Sequence, residues 1–160
     1  MSKTIPAAEL QVVVFSLYDY KTRKKEDYGV SIDQVREIRP LDAITKVPNT
    51  KAYVKGIMNL RGMIIPVIDV KEKLGLGNTH HSDQKSRILI AEVQGNLTGL
   101  LIDEVEQVMR VPIRDVETLL SGGLESIPYI RGIAKTDGRL IVLLDLANLL
   151  SGANLPIPGA

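Results

Sequence analysis

The chain has 160 residues, of which 44% are hydrophobic but only 4% aromatic, with no Trp and no Cys. Lys and Arg number 20 against 19 Asp and Glu, a formal net charge of +1. This excludes disulfides, thiolate metal centres and thiol nucleophiles, and it argues against nucleic acid or an anionic membrane as the principal partner, since both demand a cation surplus.

Folding at this size buries roughly 70% of the unfolded surface, and a core with so few aromatics must be Val, Ile and Leu, which favour strands. The opening MSKTIPAAEL holds no apolar run of signal-peptide type, and residues 1–10 are expected to be a flexible terminus. QVVVFSLY, rich in β-branched residues, predicts a strand, with KTRKKED as the hairpin connection after it. In YGVSIDQVREIRPL the apolar phase slips, because Val30 and Ile32 are even positions and Val35 is odd. Such a slip implies a bulge or corner, the device by which small barrels bend their strands. The irregular VPNTKAYVKG leads to a hairpin closed at Gly62, and MIIPVID forms the next strand. Pro66 cannot donate to a ladder, so that strand is expected to lie at an edge or opening there. Asp69 then caps a brief helix, VKEKL, that ends at Gly75.

Residues 77–85, polar and containing His80 and His81, read as a linker. The same order of elements follows it: SRILIAEV, a QGN turn, TGLLIDEVEQV, the irregular LLSGGLESIPYIRG, a hairpin at Gly138, RLIVLLD, and a helix LANLL capped by Asp145 and ended at Gly152. The tract Leu140–Leu150 is broken by Asp145 and Asn148 and falls short of the ~20 residues of a membrane helix. Tyr53, Gly56, Ile57, Gly62, Ile65, Asp69 and Leu74 recur 76 positions later (129 − 53), as Tyr129 through Leu150. Gly29, Ile32, Asp33 and Val35 recur 70 positions later (99 − 29), as Gly99, Ile102, Asp103 and Val105. Two copies of one β unit are thus expected, as subdomains over 11–76 and 86–150 with a flexible end at 151–160. Five or so strands per unit, closed to hide their edges, make a small barrel.

The duplication works as an internal control. Positions alike in both copies serve the fold; positions that differ are free for a task. Arg61 against Asp137 is the sharpest difference and Glu37 against Gln107 the next. A Glu37–Arg61 ion pair confined to copy one would explain both changes, whereas the plainer reading makes Arg61 a polar residue at a hairpin tip. Spacing leaves both open.

VKGIMNLRGMIIPVIDVKEKL, preceded by YGVSIDQVREIRPLDAITKVPNT, resembles the CheW family of chemotaxis coupling proteins, a module found also in CheA histidine kinase and CheV proteins. The likeness runs from about Gln11 to Leu150. It implies an all-β fold of two packed SH3-like five-stranded barrels with short helices. It also implies a cytoplasmic, non-catalytic adaptor without cofactor or metal that couples chemoreceptors to CheA. In that family the helical tip of the receptor sits in a groove between the barrels, and the barrel ends contact the regulatory domain of the kinase. Carried over, Ile32, Val35, Glu37 and Arg61 fall at the groove and its supporting charge pair, with Asn59 and Leu60 in the same motif. Gly99, Leu100, Leu101 and Ile102 match the second wall.

The residues themselves disfavour other classes. Neither G-x-S-x-G nor a P-loop is present, and adjacent histidines such as His80-His81, even with Asp83, seldom give closed metal coordination. A nucleic-acid-binding barrel is the rival reading, resting on the four cations of KTRKKED; two acids follow them at once, and stacking aromatics are scarce.

Overall fold

The computed structural model describes residues 8–41, 43–77, 84–118 and 129–151. Among the described residues eleven strands follow in order: β1 (Glu9–Asp19), β2 (Lys24–Ser31), β3 (Val35–Pro40), β4 (Val54–Leu60), β5 (Met63–Asp69), β6 (Arg87–Val93), β7 (Asn96–Ile102), β8 (Glu104–Pro112), β9 (Val116–Glu117), β10 (Ile130–Thr136) and β11 (Arg139–Leu144). Helix α1 (Val70–Lys73) follows β5 and α2 (Leu146–Leu150) follows β11. Both begin as cap chemistry requires: the Asp69 carboxylate accepts from the amides of Lys71 and Glu72, and that of Asp145 from Asn148. The two aspartates are caps. Gly75 continues past α1 with φ of 78°, a left-handed stop.

The strands form two sheets, ordered β8-β1-β2-β11-β10-β9 and β3-β6-β7-β5-β4. Each closes on itself. In the first, β9 continues β8 through a single 3₁₀ turn, Ile113–Asp115, and pairs with β10. In the second, the chain beyond β3 reaches β4 where Thr45 and Ile57 exchange two backbone hydrogen bonds of 2.8 Å each. Two SH3-like barrels result, called here A and B after the two sheets in that order.

The ladders cut across the expected division at 77–85. Barrel A takes β1 and β2 from the first copy and β8 to β11 from the second; barrel B takes β3, β4 and β5 from the first copy and β6 and β7 from the second. Each copy has handed its first two strands to the other. The crossover falls at the phase slip: a 3₁₀ turn over Ile32–Gln34 carries the chain out of β2, in barrel A, into β3, in barrel B. Its repeat partner is Asp103, between β7 and β8. The slip had been expected to be a corner within one barrel. It is the hand-over between two, for a chain that changes sheets must also exchange the faces its side chains present.

Burial follows from this. Along β1, Val12 and Val14 point into barrel A, while Val13, Phe15 and Leu17 join a third cluster between the barrels. Along β6, Ile88 and Ile90 fill barrel B and Leu89 and Ala91 reach the same middle cluster. A strand buried on both faces reads as an unbroken apolar run, which is why QVVVFSLY and SRILIAEV lack polar alternation. Pro66 faces Ile57 of β4, and the β5–β7 ladder begins only at Val67, so its missing N–H falls where the sheet has opened.

Candidate interaction site

Arg61 and Gly62 form the two-residue turn between β4 and β5, with φ of 50° and 86°. Asp137 and Gly138 do the same between β10 and β11, at 52° and 71°. Two successive left-handed residues define the turn that matches strand twist, and it favours Asn or Asp before Gly. Copy two has the favoured Asp; copy one carries Arg against that preference, and such an outlier points to function. Asn59 supports the turn, its Oδ1 accepting from the Gly62 amide at 2.8 Å.

From this turn the Arg61 guanidinium donates to Glu37 Oε2 at 2.8 Å, and Arg39 donates to Oε1 at 3.1 Å. The carboxylate is bracketed by two cations. The hydrogen bond from Arg61, then that from Arg39, holds the Glu37 carboxyl below the usual carboxylate range. A carboxyl lowered on folding stabilises the folded state above its unfolded pKa, and loses that contribution as pH falls through the lower folded value. Wild type should therefore lose its stability advantage over Glu37→Gln on acidification through the region below the ordinary carboxylate pKa. Thermal melts of both proteins across that range check it; a difference independent of pH would show that Glu37 gains nothing from its charge.

Barrel A has its own network at positions the sequence comparison missed. Arg139 donates to Asp27 at 2.9 Å and to both oxygens of Glu106 at 2.7 Å. Bidentate pairing depresses the Glu106 carboxyl and raises the Arg139 guanidinium. Repeat arithmetic aligns Arg139 with Met63 (139 − 76), so no positional match reveals it. The barrel B cluster has two cations on one acid and that of barrel A two acids on one cation.

The residues expected to line a groove divide sharply. Ile32 and Val35 are half-buried at the crossover and pack against the middle cluster. Glu37 lies at the rim, 25% exposed, with Arg61 outside it at 73%; Asn59 is exposed too. The other five are interior. Leu60 fills barrel B, as does Leu101, while Leu100 and Ile102 belong to the middle cluster with no exposed surface. Gly99 is buried, and a Cβ there would meet Ile88 Cγ2 at 3.0 Å. The expectation of a second wall at Gly99–Ile102 is thus corrected: β7 is buried from Thr98 to Ile102, so these residues support the seam from beneath and present no surface of their own. The seam has a filled floor, with only a shallow surface at Ile32 and Val35.

Sequence reasoning also missed the exposed apolar ends. Ile38, Met63 and Ile64 are 43%, 55% and 71% exposed on barrel B; Val108 and Leu140 are 52% and 62% exposed on barrel A. Ile38 and Val108 are related by the 70-residue offset and Ile64 and Leu140 by 76, a signal that was there to find. Likeness between copies had been taken as the mark of the core, yet these pairs keep an outward-facing role.

A family model described as a CheW-like domain matches residues 11–154. The chain belongs to the CheW family. It is 31% identical over 153 residues to a probable chemotaxis protein CheW of Rhizobium etli, covering 93% of this chain and 92% of that one. To chemotaxis protein CheW of Klebsiella aerogenes it is 27% identical over 137 residues, covering 85% and 82%. The crystal structure of the scaffolding protein TtCheW from Thermoanaerobacter tengcongensis superposes with a TM-score of 0.78 at 35% identity, covering 96% of this chain and 97% of that one. The twin barrels are therefore the CheW fold.

The run KTRKKED looks different once folded. Lys24 to Asp27 belong to β2, Lys25 pairs with Glu104 at 3.2 Å, and Asp27 pairs with Arg139. The match to the CheW family favours a chemotaxis adaptor over a nucleic-acid surface. No helix among the described residues is long and apolar enough to cross a membrane. His80, His81 and Gly152 lie outside the described residues.

Proposed function

We propose that this chain is a non-catalytic, cytoplasmic chemotaxis adaptor that joins the helical tip of a chemoreceptor to the regulatory domain of CheA. The observation that carries the reading is the Glu37–Arg61 pair, with Arg61 on a turn that disfavours Arg and Glu37 on the same strand as Val35. A receptor helix would lay an apolar stripe on Ile32 and Val35, in the manner of helix-in-groove recognition, while Glu37 and Arg61 select its orientation. With the floor filled by Leu100 and Ile102, contact is shallow. Modest affinity suits an array in which avidity adds to each contact. The apolar ends, Ile38, Met63 and Ile64 on one side and Val108 and Leu140 on the other, are the surfaces assigned to CheA, and their different ion-pair networks let the two ends choose different partners. Family membership and the relatives named chemotaxis protein CheW support this reading.

The test is co-sedimentation with receptor cytoplasmic fragments and CheA, read out also as kinase activity. Arg61→Asp, which copies the second unit, should leave the melting temperature near wild type, because Asp suits the turn, yet weaken co-sedimentation about tenfold. Glu37→Arg combined with Arg61→Asp should restore part of the loss by reversing the pair. Wild-type protein that associates with neither receptor fragments nor CheA would overturn the reading.

A further inference from the structure

The connection between β3 and β4 encloses a cleft of about 630 Å³, a size within the range of about 300–1,000 Å³ typical of ligand pockets. It shares no lining residue with the seam surface or the Glu37–Arg61 pair. Its floor is apolar: Leu41 and Ile44 pack on the interior of barrel B, and Val47 and Val54 complete it, all four half-buried. Lys46 and Lys51 stand exposed along it, and among the described residues no carboxylate pairs with either. Lys55, also in the lining, differs from them, for it is neutralised by Glu72 at 3.0 Å and lies 3.8 Å from Asp69.

The cleft is built in advance. Thr45 is bonded to Ile57 in both directions, and a Cβ at residue 56 would stand 2.1 Å from the Thr45 carbonyl oxygen, so only glycine lets the two segments meet. The Thr50 hydroxyl donates to the Val47 carbonyl at 3.1 Å, and the Val54 amide to that of Lys51 at 2.9 Å. A preformed site spares the ligand the cost of ordering the loop.

The duplication supplies an independent argument. Copy two has a longer connection here and carries no lysine anywhere from Ile113 to Ile130, a stretch whose one cation, Arg114, stands among Asp115, Glu117 and Glu125. The lysine pair belongs to copy one alone, as Arg61 does, and lies where the fold does not require it.

We propose that this cleft binds an acidic, aliphatic peptide segment of a partner protein, one apolar side chain on the Leu41–Ile44 floor and flanking carboxylates against Lys46 and Lys51. A free phosphate fits poorly. Lysines offer point charges on flexible stems rather than the planar fork that grips phosphate, and a small anion would leave the apolar floor uncovered. Alternating carboxylates and leucines satisfy both features together.

The experiment uses the full chain, labelled with ¹⁵N, and a short synthetic peptide of leucines flanked by glutamates. Amide shifts should saturate, centre on residues 41–57, and weaken with added salt. Lys46→Glu with Lys51→Glu should weaken binding at least about tenfold while the thermal melt stays unchanged, since both side chains are exposed. If that variant melts lower, Lys46→Gln with Lys51→Gln takes its place, with a smaller loss expected in the same direction. Shifts that fail to saturate, or that centre on the barrel ends, would overturn the proposal. So would equal binding by a peptide with serines for the leucines, or equal competition by inorganic phosphate, either of which would show a site that reads charge alone. Because Ile32, Val35, Glu37 and Arg61 take no part, any of these failures leaves the adaptor reading standing.

Discussion

Replacing Phe15 with alanine should destabilise both barrels together, by about 3–5 kcal/mol in denaturant unfolding, the usual cost of truncating a buried aromatic. Phe15 has no exposed surface, stacks on Tyr28 with ring centroids 6.2 Å apart, and belongs to the cluster that both barrels share. A domain of this size holds on the order of 5–15 kcal/mol in all, so the loss is a large fraction. The shared cluster and the exchanged strands make a further demand: unfolding should stay a single cooperative transition, because neither barrel keeps its strands once the other opens. For the same reason the segments 11–76 and 86–150, expressed separately, should not fold. Each would carry a complete repeat yet lack the strand partners found here, β8 and β11 for β1 and β2. Two resolved transitions for Phe15→Ala, or a folded half-chain with the pairings described, would contradict the exchange.

Asp103→Ala should cost a comparable amount, about 3–5 kcal/mol, the penalty for leaving one member of a buried ion pair alone. Lys71 on α1 is fully buried, and its Nζ lies 3.1 Å from Asp103 Oδ2 and 4.3 Å from the centre of the Tyr20 ring. The same Asp103 oxygen accepts from the Tyr18 amide at 2.7 Å. One carboxylate thus joins α1, the end of β1 and the crossover between β7 and β8. Loss of that carboxylate strands a charge and an amide at once. Lys71→Met combined with Asp103→Asn should cost less than the two single changes added, because no buried charge is then left unpaired. A loss below about 1 kcal/mol for Asp103→Ala would mean that Lys71 reaches water on its own, and a pair no stronger than those on the surface. The repeat-equivalent site has no such tie: Asp33, the mate of Asp103, is exposed, and Ala147 stands at the place of Lys71.

Much of this was readable before any fold was known. The 70- and 76-residue offsets announced two β units, the Gly62 and Gly138 hairpins were marked by their glycines, and Asp69 and Asp145 were recognisable as caps. These features are local. Turn geometry, cap bonds and period-2 burial depend on neighbours within a few residues. The Glu37–Arg61 pair was legible as one of two open readings, because the repeat offered a comparison in which both positions differ. Arg139, Asp27 and Glu106 were not, since their equivalents in copy one do a different job.

What the amino-acid order determined by itself is the kind of element at each place and the fact of duplication. Only the tertiary structure decided which copy each strand pairs with, and hence that Gly99–Ile102 lies inside and that the seam is floored. The physical reason is a degeneracy: β1 carries the same alternation of faces and the same hydrogen-bonding groups whether its neighbour is β3 or the repeat-equivalent β8. A local pattern cannot separate these partners. The choice is made by the path of the chain through the two crossovers, at Ile32–Gln34 and at Asp103, and by the apolar surface that the barrels bury against each other once the strands have been exchanged.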